Sequence, residues 1–126
     1  MADTNLTLVQ ETYGAFGRGD IPAVLGAFTA DIEWNVPAVL PHGAKARGPE
    51  EVGRFFEVLA STWENFDLQL DDFVASGDRV CAFGSALGTL GGKHTGYGFV
   101  HAWTVRDGAL ARLDEYVDPE PELYAG

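Results

Sequence analysis

A single cysteine, Cys81, stands among the 126 residues, so no disulfide can close within the chain. Cysteine used this sparingly points to a reducing compartment, and Cys81 lies in a hydrophobic run where an inert, packed thiol is expected. Positive charge is also scarce: 8 Lys and Arg stand against 19 Asp and Glu, a net charge of −11. Nucleic acids and anionic membranes are bound through clustered Lys and Arg, so neither is an expected partner. Apolar runs are short. No stretch of about 18 apolar residues could span a bilayer, and the first residues lack the basic and apolar regions of a secretion signal. A soluble, cytoplasmic protein is therefore expected. Phosphate-binding glycine loops, serine elbows and Cys/His nucleophile patterns are missing. His42, His94 and His101 have no metal-ligand spacing, so neither a metal nor another cofactor is expected.

What is present suits one globular domain over residues 1–126, long enough to bury roughly two-thirds of its unfolded surface. The carboxylates, among them Asp31, Glu50, Glu51, Asp71, Asp72, Glu120 and Glu122, are scattered and read as a solvated surface.

Leu6, Val9, Tyr13 and Phe16 recur at helical spacing, which predicts an amphipathic helix over residues 3–16, ended by Gly17-Arg18-Gly19. Asp20 reads as the N-cap of a second, shorter helix with Pro22 in its first turn and Val24, Leu25 and Phe28 as its apolar side. Residues 32–36 read as a short strand and 37–48 as a loop rich in proline, glycine and small residues. Pro49 opens a third helix, with Glu50 and Glu51 favourably placed against its dipole. Its buried face is Val52, Phe55, Phe56, Leu59 and Trp63. Beyond Asn65 the apolar period falls from about 3.6 to 2. Strands over 66–76, 79–90 and 93–106 and a last one after Asp107-Gly108 are separated by Gly77-Asp78, Gly91-Gly92 and Asp107-Gly108. Such dipeptides supply the positive φ of tight hairpins. The fold class is α+β: a curved, mainly antiparallel sheet wrapped as a cone around three N-terminal helices. Gly84, Gly88, Gly96 and Gly98 inside strands signal bulges or strong curvature.

A cone encloses a pocket. Alternation places Tyr97, Phe99, His101 and Trp103 on one face of the penultimate strand, and Ala111, Leu113, Glu115 and Val117 on one face of the last. Cys81, Phe83 and Ser85 are expected to join them. Phe55, Phe56 and Leu59 would close the pocket from the third helix, Tyr13 and Phe28 from the first two, and Trp34 and Val36 from the short strand. Aromatic walls with few polar groups suit a small hydrophobic or aromatic ligand. His101 and Glu115 are the catalytic candidates, because an inward carboxylate among apolar neighbours is costly unless paired, and an imidazole is a partner that can move protons with it. Counting outward from Asp107-Gly108 sets His101 near Asp114, and a one-residue slip replaces it with Glu115, so register decides the pair. The plainer alternative is a buried His–Glu contact that only fixes register.

The ordered motifs Tyr13-Gly14-Ala15-Phe16, Gly19-Asp20, Phe28-Thr29-Ala30-Asp31, Glu33-Trp34, Arg47-Gly48-Pro49-Glu50 and Arg54-Phe55-Phe56 open a wider likeness. It continues through Gly77-Asp78-Arg79-Val80, the run from Phe99 to Gly108, and Glu115-Tyr116-Val117-Asp118. Over nearly its whole length the chain resembles the nuclear transport factor 2-like superfamily, in its SnoaL-like branch of polyketide cyclases and ketosteroid isomerase-like proteins. The resemblance implies a cystatin-like α+β barrel, often a homodimer through the outer sheet face. In ketosteroid isomerase a base stands where this chain has Val36, the oxyanion-hole acid aligns with His101, and the oxyanion-hole tyrosine aligns near Thr12. Steroid isomerisation is therefore disfavoured. Epoxide hydrolases of this superfamily use an Asp-Arg-Asp set, and no Arg lies on the inward row here. The polyketide cyclases place a His and an acid on the strands of His101 and Glu115, which implies proton removal from an activated carbon with enolate stabilisation and no cofactor. A non-catalytic binder of small hydrophobic ligands is the alternative, and an interaction module with a vestigial cavity a third.

Overall fold

The computed structural model describes residues 2–117; Asp118, Glu120 and Glu122 lie outside the described residues. The chain runs through α1 (Ala2–Gly17), α2 (Ile21–Gly26), β1 (Phe28–Val36), β2 (Ala44–Arg47), α3 (Gly48–Thr62), β3 (Glu64–Ser76), β4 (Arg79–Leu90), β5 (Lys93–Arg106) and β6 (Ala109–Val117). Asp20 caps α2, its carboxylate accepting the Ala23 N–H at 3.2 Å. The six strands form one curved, unclosed sheet in the order β2-β1-β6-β5-β4-β3. The β1–β6 pair is parallel and the rest are antiparallel, so the α+β class is right and the sheet is mixed. None of the described helices is long and apolar enough to cross a membrane.

Two expectations about the first half change. The strand expected over 32–36 begins at Phe28, so Phe28 belongs to β1 and packs its ring 5.5 Å from Trp34 instead of finishing α2. The loop expected over 37–48 contains β2, whose Ala44 and Ala46 pair with Val36 and Trp34. Four residues of small and charged type carry almost no period, so β2 is made by its partner and not by its own pattern.

The turns follow the dipeptides. Gly91 and Gly92 have φ of 59° and 82°, and Asp107 and Gly108 have 53° and 76°, as primed two-residue hairpins require. Curvature comes from missing side chains. A Cβ on Gly84 would stand 2.2 Å from the Gln69 carbonyl oxygen and 3.1 Å from the Phe99 ring, so only glycine lets β3 and β4 close up there. The core lies between the concave face and the helices, centred on Val9, Ile32, Val52, Val80, Leu110 and Leu113.

Candidate functional site

Register assembles the site. From Arg106 opposite Ala109, β5 and β6 pair regularly to Val105 opposite Leu110. The next pair is Thr104 with Arg112, so Ala111 is the extra residue of a β-bulge. That one residue moves Asp114 opposite Ala102 and brings Glu115 opposite His101. Directly opposed residues share a face of an antiparallel pair, so Glu115 turns inward with His101. Asp114 turns outward, where Arg112 Nε donates to it at 2.8 Å and Asn35 Nδ2 at 3.0 Å. The Arg112 hydrogen bond holds the Asp114 carboxyl below its ordinary value.

His101 and Glu115 are each 8% exposed, with His101 Nε2 3.3 Å from Glu115 Oε2. His101 Nδ1 lies 2.6 Å from the Tyr13 hydroxyl, which α1 delivers from the other side of the cone. The Trp103 indole donates Nε1–H to that same hydroxyl oxygen at 2.9 Å. An indole nitrogen can only donate and a carboxylate can only accept, so the neutral imidazole carries its proton on Nε2 and accepts at Nδ1, which sets a direction along the chain. Trp103 donates to Tyr13, the Tyr13 O–H donates to His101 Nδ1, and Nε2–H donates to the Glu115 carboxylate. Burial pushes the Tyr13 hydroxyl far above its usual range, the Trp103 hydrogen bond pulls back, and the Glu115 charge adds to the rise. Tyr13 thus keeps its proton and acts as a donor. Phe99 stacks on the His101 ring at 3.9 Å and holds its plane.

A second buried imidazole comes from the loop rich in proline, glycine and small residues. His42 is 3% exposed; Trp63 donates Nε1–H to its Nδ1 at 3.1 Å, and its Nε2 lies 3.1 Å from the Tyr97 hydroxyl. Because Nδ1 accepts, the proton of the neutral ring sits on Nε2 and points at Tyr97. Burial lowers the pKa of His42, with the Glu115 charge opposing the shift. The available signal was Pro41-His42-Gly43: a Cβ on Gly43 would meet the Pro37 carbonyl oxygen at 2.1 Å, and this tight reversal tucks His42 inward.

Between the two imidazoles lies a cavity with about 60 Å³ of free interior, and about 540 Å³ of non-atom space once its crevices and mouth are counted. His101, Glu115, Tyr13, Trp34, Phe55, Leu59, Tyr97 and Trp103 all line it. Other residues singled out in the sequence do not. Phe83 points outward and is 37% exposed, because the two-residue turn at Gly91-Gly92 sets Ala82, not Phe83, opposite His101. The same register turns Cys81 and Ser85 away. Phe28 backs Trp34 and Trp103 from behind, Phe99 backs His101, and Val36 borders a shallow depression at the ends of β1 and β6. His42, Phe56, Thr12, Phe16, Val24, Phe66, Leu68 and Leu113 complete the lining among the described residues. Among the described residues no Lys or Arg lines the cavity. The indole Nε1 of Trp34 is enclosed without a hydrogen-bond partner among the described residues. Among the described residues no three His, Cys, Asp or Glu side chains gather as metal ligands.

The geometry can be set beside known proteins. An uncharacterized protein of Mycobacterium tuberculosis is 29% identical over 120 residues, covering 93% of this chain and 92% of its own. An NTF2-like protein of unknown function from Burkholderia pseudomallei superposes with a TM-score of 0.85 at 29% identity over 91% of each chain. TerC, crystallized with polyporic acid, superposes with a TM-score of 0.82 at 28% identity over 91% of this chain and 92% of its own. The profile of the SnoaL-like domain matches residues 9–113, nearly all the elements that build the cone, and the chain belongs to that family.

Proposed function

We propose that this chain, one SnoaL-like domain over residues 1–126, is a cytoplasmic small-molecule enzyme using acid–base chemistry of the cyclase or isomerase type. The observation that carries the reading is the polarised chain from Trp103 through Tyr13 and His101 to Glu115 inside an aromatic cavity. Both His101 nitrogens are engaged, while the second carboxylate oxygen of Glu115 makes no hydrogen bond to another described side chain. Glu115 is therefore the base and takes a proton from a carbon next to a ligand carbonyl. The electron pair moves onto the carbonyl oxygen, which the His101 Nε2–H stabilises once Glu115 has taken up the proton, and protonated Glu115 then returns a proton and regains its carboxylate. Tyr13 and Trp103 hold the imidazole in the required tautomer. Proton transfer of this kind needs no cofactor. That TerC was crystallized with polyporic acid supports a small organic ligand for this chain.

Deuterium uptake from heavy water into the α-carbon of enolisable ring ketones, followed by proton NMR, tests the reading. Glu115→Gln and His101→Ala should each lose on the order of 10²–10⁴ in exchange rate. Equal exchange in the wild type and in Glu115→Gln would end the enzymatic reading. The engagement of both His101 nitrogens also suits a second reading, a non-catalytic binder in which the pair only orients the ligand; ligand-induced stabilisation without exchange would select it.

The convex face supports a homodimer. Phe83, Val100 and Tyr116 form one cross-strand row and Val74, Cys81 and Ala102 another, with Val74, Phe83 and Tyr116 exposed.

A further inference from the structure

The cone contains three indoles, and two of them have an acceptor. Trp63 donates to His42 and Trp103 to Tyr13. Trp34 does not: among the described residues lining the cavity, it alone leaves a buried side-chain polar atom without a partner. An indole N–H can only donate, and a buried donor without an acceptor carries a desolvation cost that folded proteins seldom leave uncompensated. Around it stand the rings of Phe28, Phe55, Phe56 and Trp103, with centroids 5.5, 5.6, 5.6 and 5.8 Å away. Ring faces are at best weak acceptors. Residue 34 is 6% exposed and its partner on β6 is Leu113, so it stands two strand positions from Glu115 on the same face, about 7 Å along the chain. That offset, between backbone positions along the sheet, is about the length of one ring.

We propose that Trp34 Nε1–H is a specificity-determining donor to a neutral oxygen of the ligand. The ligand is then a flat ring that carries a carbonyl or hydroxyl oxygen about one ring width from the atom handled at Glu115. Neutrality follows from the lining, which contains a carboxylate and no Lys or Arg, in a chain of net charge −11. An anionic oxygen would meet no countercharge. The half-buried Phe56, whose ring faces Trp34 from α3, is the side chain that gives way to admit the oxygen. The inference rests on the acid–base reading only for what happens at the Glu115 end.

The test uses the full chain labelled with ¹⁵N, in which the three indole N–H signals are assigned through Trp→Phe variants. Acetophenone is the probe, and ethylbenzene, similar in shape but lacking the oxygen, is the control. Acetophenone should move the Trp34 indole proton downfield while ethylbenzene leaves it or moves it upfield. Trp34→Phe, which keeps a ring, should weaken acetophenone roughly tenfold and ethylbenzene by no more than about twofold. The shift in the wild type stands as evidence even where Trp34→Phe fails to fold. Acetophenone bound with the Trp34 signal unmoved, or both probes weakened equally, overturns the inference and leaves the acid–base reading untouched. Failure of both probes to bind also overturns it, since Phe56 then does not give way and no ring reaches the Trp34 donor. Loss of α-carbon exchange in Glu115→Gln with the Trp34 shift intact would show the two claims to be separate.

Discussion

His101 Nδ1 and the Tyr13 hydroxyl are 2.6 Å apart, joining β5 to a helix 88 residues earlier in the chain. The contact orients the imidazole and protects the phenol proton at once. Tyr13→Phe therefore removes a donor from a buried nitrogen and leaves the Trp103 N–H without its acceptor. A stability loss of about 1–3 kcal/mol is expected in urea unfolding. The phenol itself gives a cleaner signature. Burial lifts it far above its ordinary value of 10.0, so absorbance titration of the folded protein through about pH 10 should show the same tyrosinate amplitude in wild type and Tyr13→Phe. A smaller amplitude in the variant would mean that Tyr13 ionises like a surface tyrosine, and the chain from Trp103 to Glu115 would lose its direction.

Asp114 and Glu115 are adjacent in sequence and belong to different environments, so one conservative change at each should separate them. Asp114→Asn removes an outward carboxylate that accepts from Arg112 and Asn35. At neutral pH it should cost about 1 kcal/mol, partly screened by solvent, and leave cavity chemistry alone. The Asp114 pKa is lowered in the fold, so its contribution is present above the ordinary carboxylate value and disappears as pH falls through the folded value. Glu115→Gln should show the reverse pattern, with exchange activity lost at little cost in stability. Thermal melts and the heavy-water exchange assay on both variants decide the matter. Activity lost in Asp114→Asn and kept in Glu115→Gln would place the bulge elsewhere.

His42 is a second pH-sensitive element of the fold. Its pKa is lowered by burial from the ordinary 6.5, so the unfolded chain binds a proton that the folded chain refuses. Stability is present in full above the unfolded value and falls as pH drops through about 6.5 toward the folded pKa, with a slope of up to about 1.4 kcal/mol per pH unit. His42→Gln keeps an acceptor for Trp63 and a donor for Tyr97 without titrating. Urea unfolding between about pH 5 and 7.5 should show a flatter pH dependence for this variant than for the wild type. Parallel curves would mean that His42 is charged in the folded chain or reaches water.

The parts of the fold that were legible in the sequence are those whose signal is local. Asp20 announces a helix start through its own side chain, and Asp107-Gly108 a hairpin through its own φ angles. The concave row from Tyr97 to Trp103 follows from alternation on one strand. What stayed hidden depends on two strands at once. Ala111 carries no mark of a bulge, so the choice between Asp114 and Glu115 stayed open until the pairing was seen. Alternation groups Phe83 with Cys81 and Ser85 but does not say which face of the strand is inward, and the turn at Gly91-Gly92 gives the inward face to Ala82 and Gly84. His42 came to the cavity through a chain reversal held by Trp63 and Tyr97, partners 21 and 55 residues away. Nothing in a Pro-Gly loop names such partners.

The misplaced Phe83 leads to the last expectation. It is 37% exposed, Tyr116 61% and Val74 54%, and with Val100 and Ala102 they make an apolar surface across four neighbouring strands, β3 to β6. Covering each of these partly exposed side chains is worth roughly 1 kcal/mol, so pairing two such faces, with several on each, could hold a dimer. Phe83→Glu combined with Tyr116→Glu sets like charges against each other across any two-fold contact through this face. In sedimentation equilibrium the wild type should weigh as two chains and the double variant as one. Because both side chains point away from the cavity, ligand-induced stabilisation should survive in the variant. A monomeric wild type, or a double variant that still pairs, would assign the exposed row some other role.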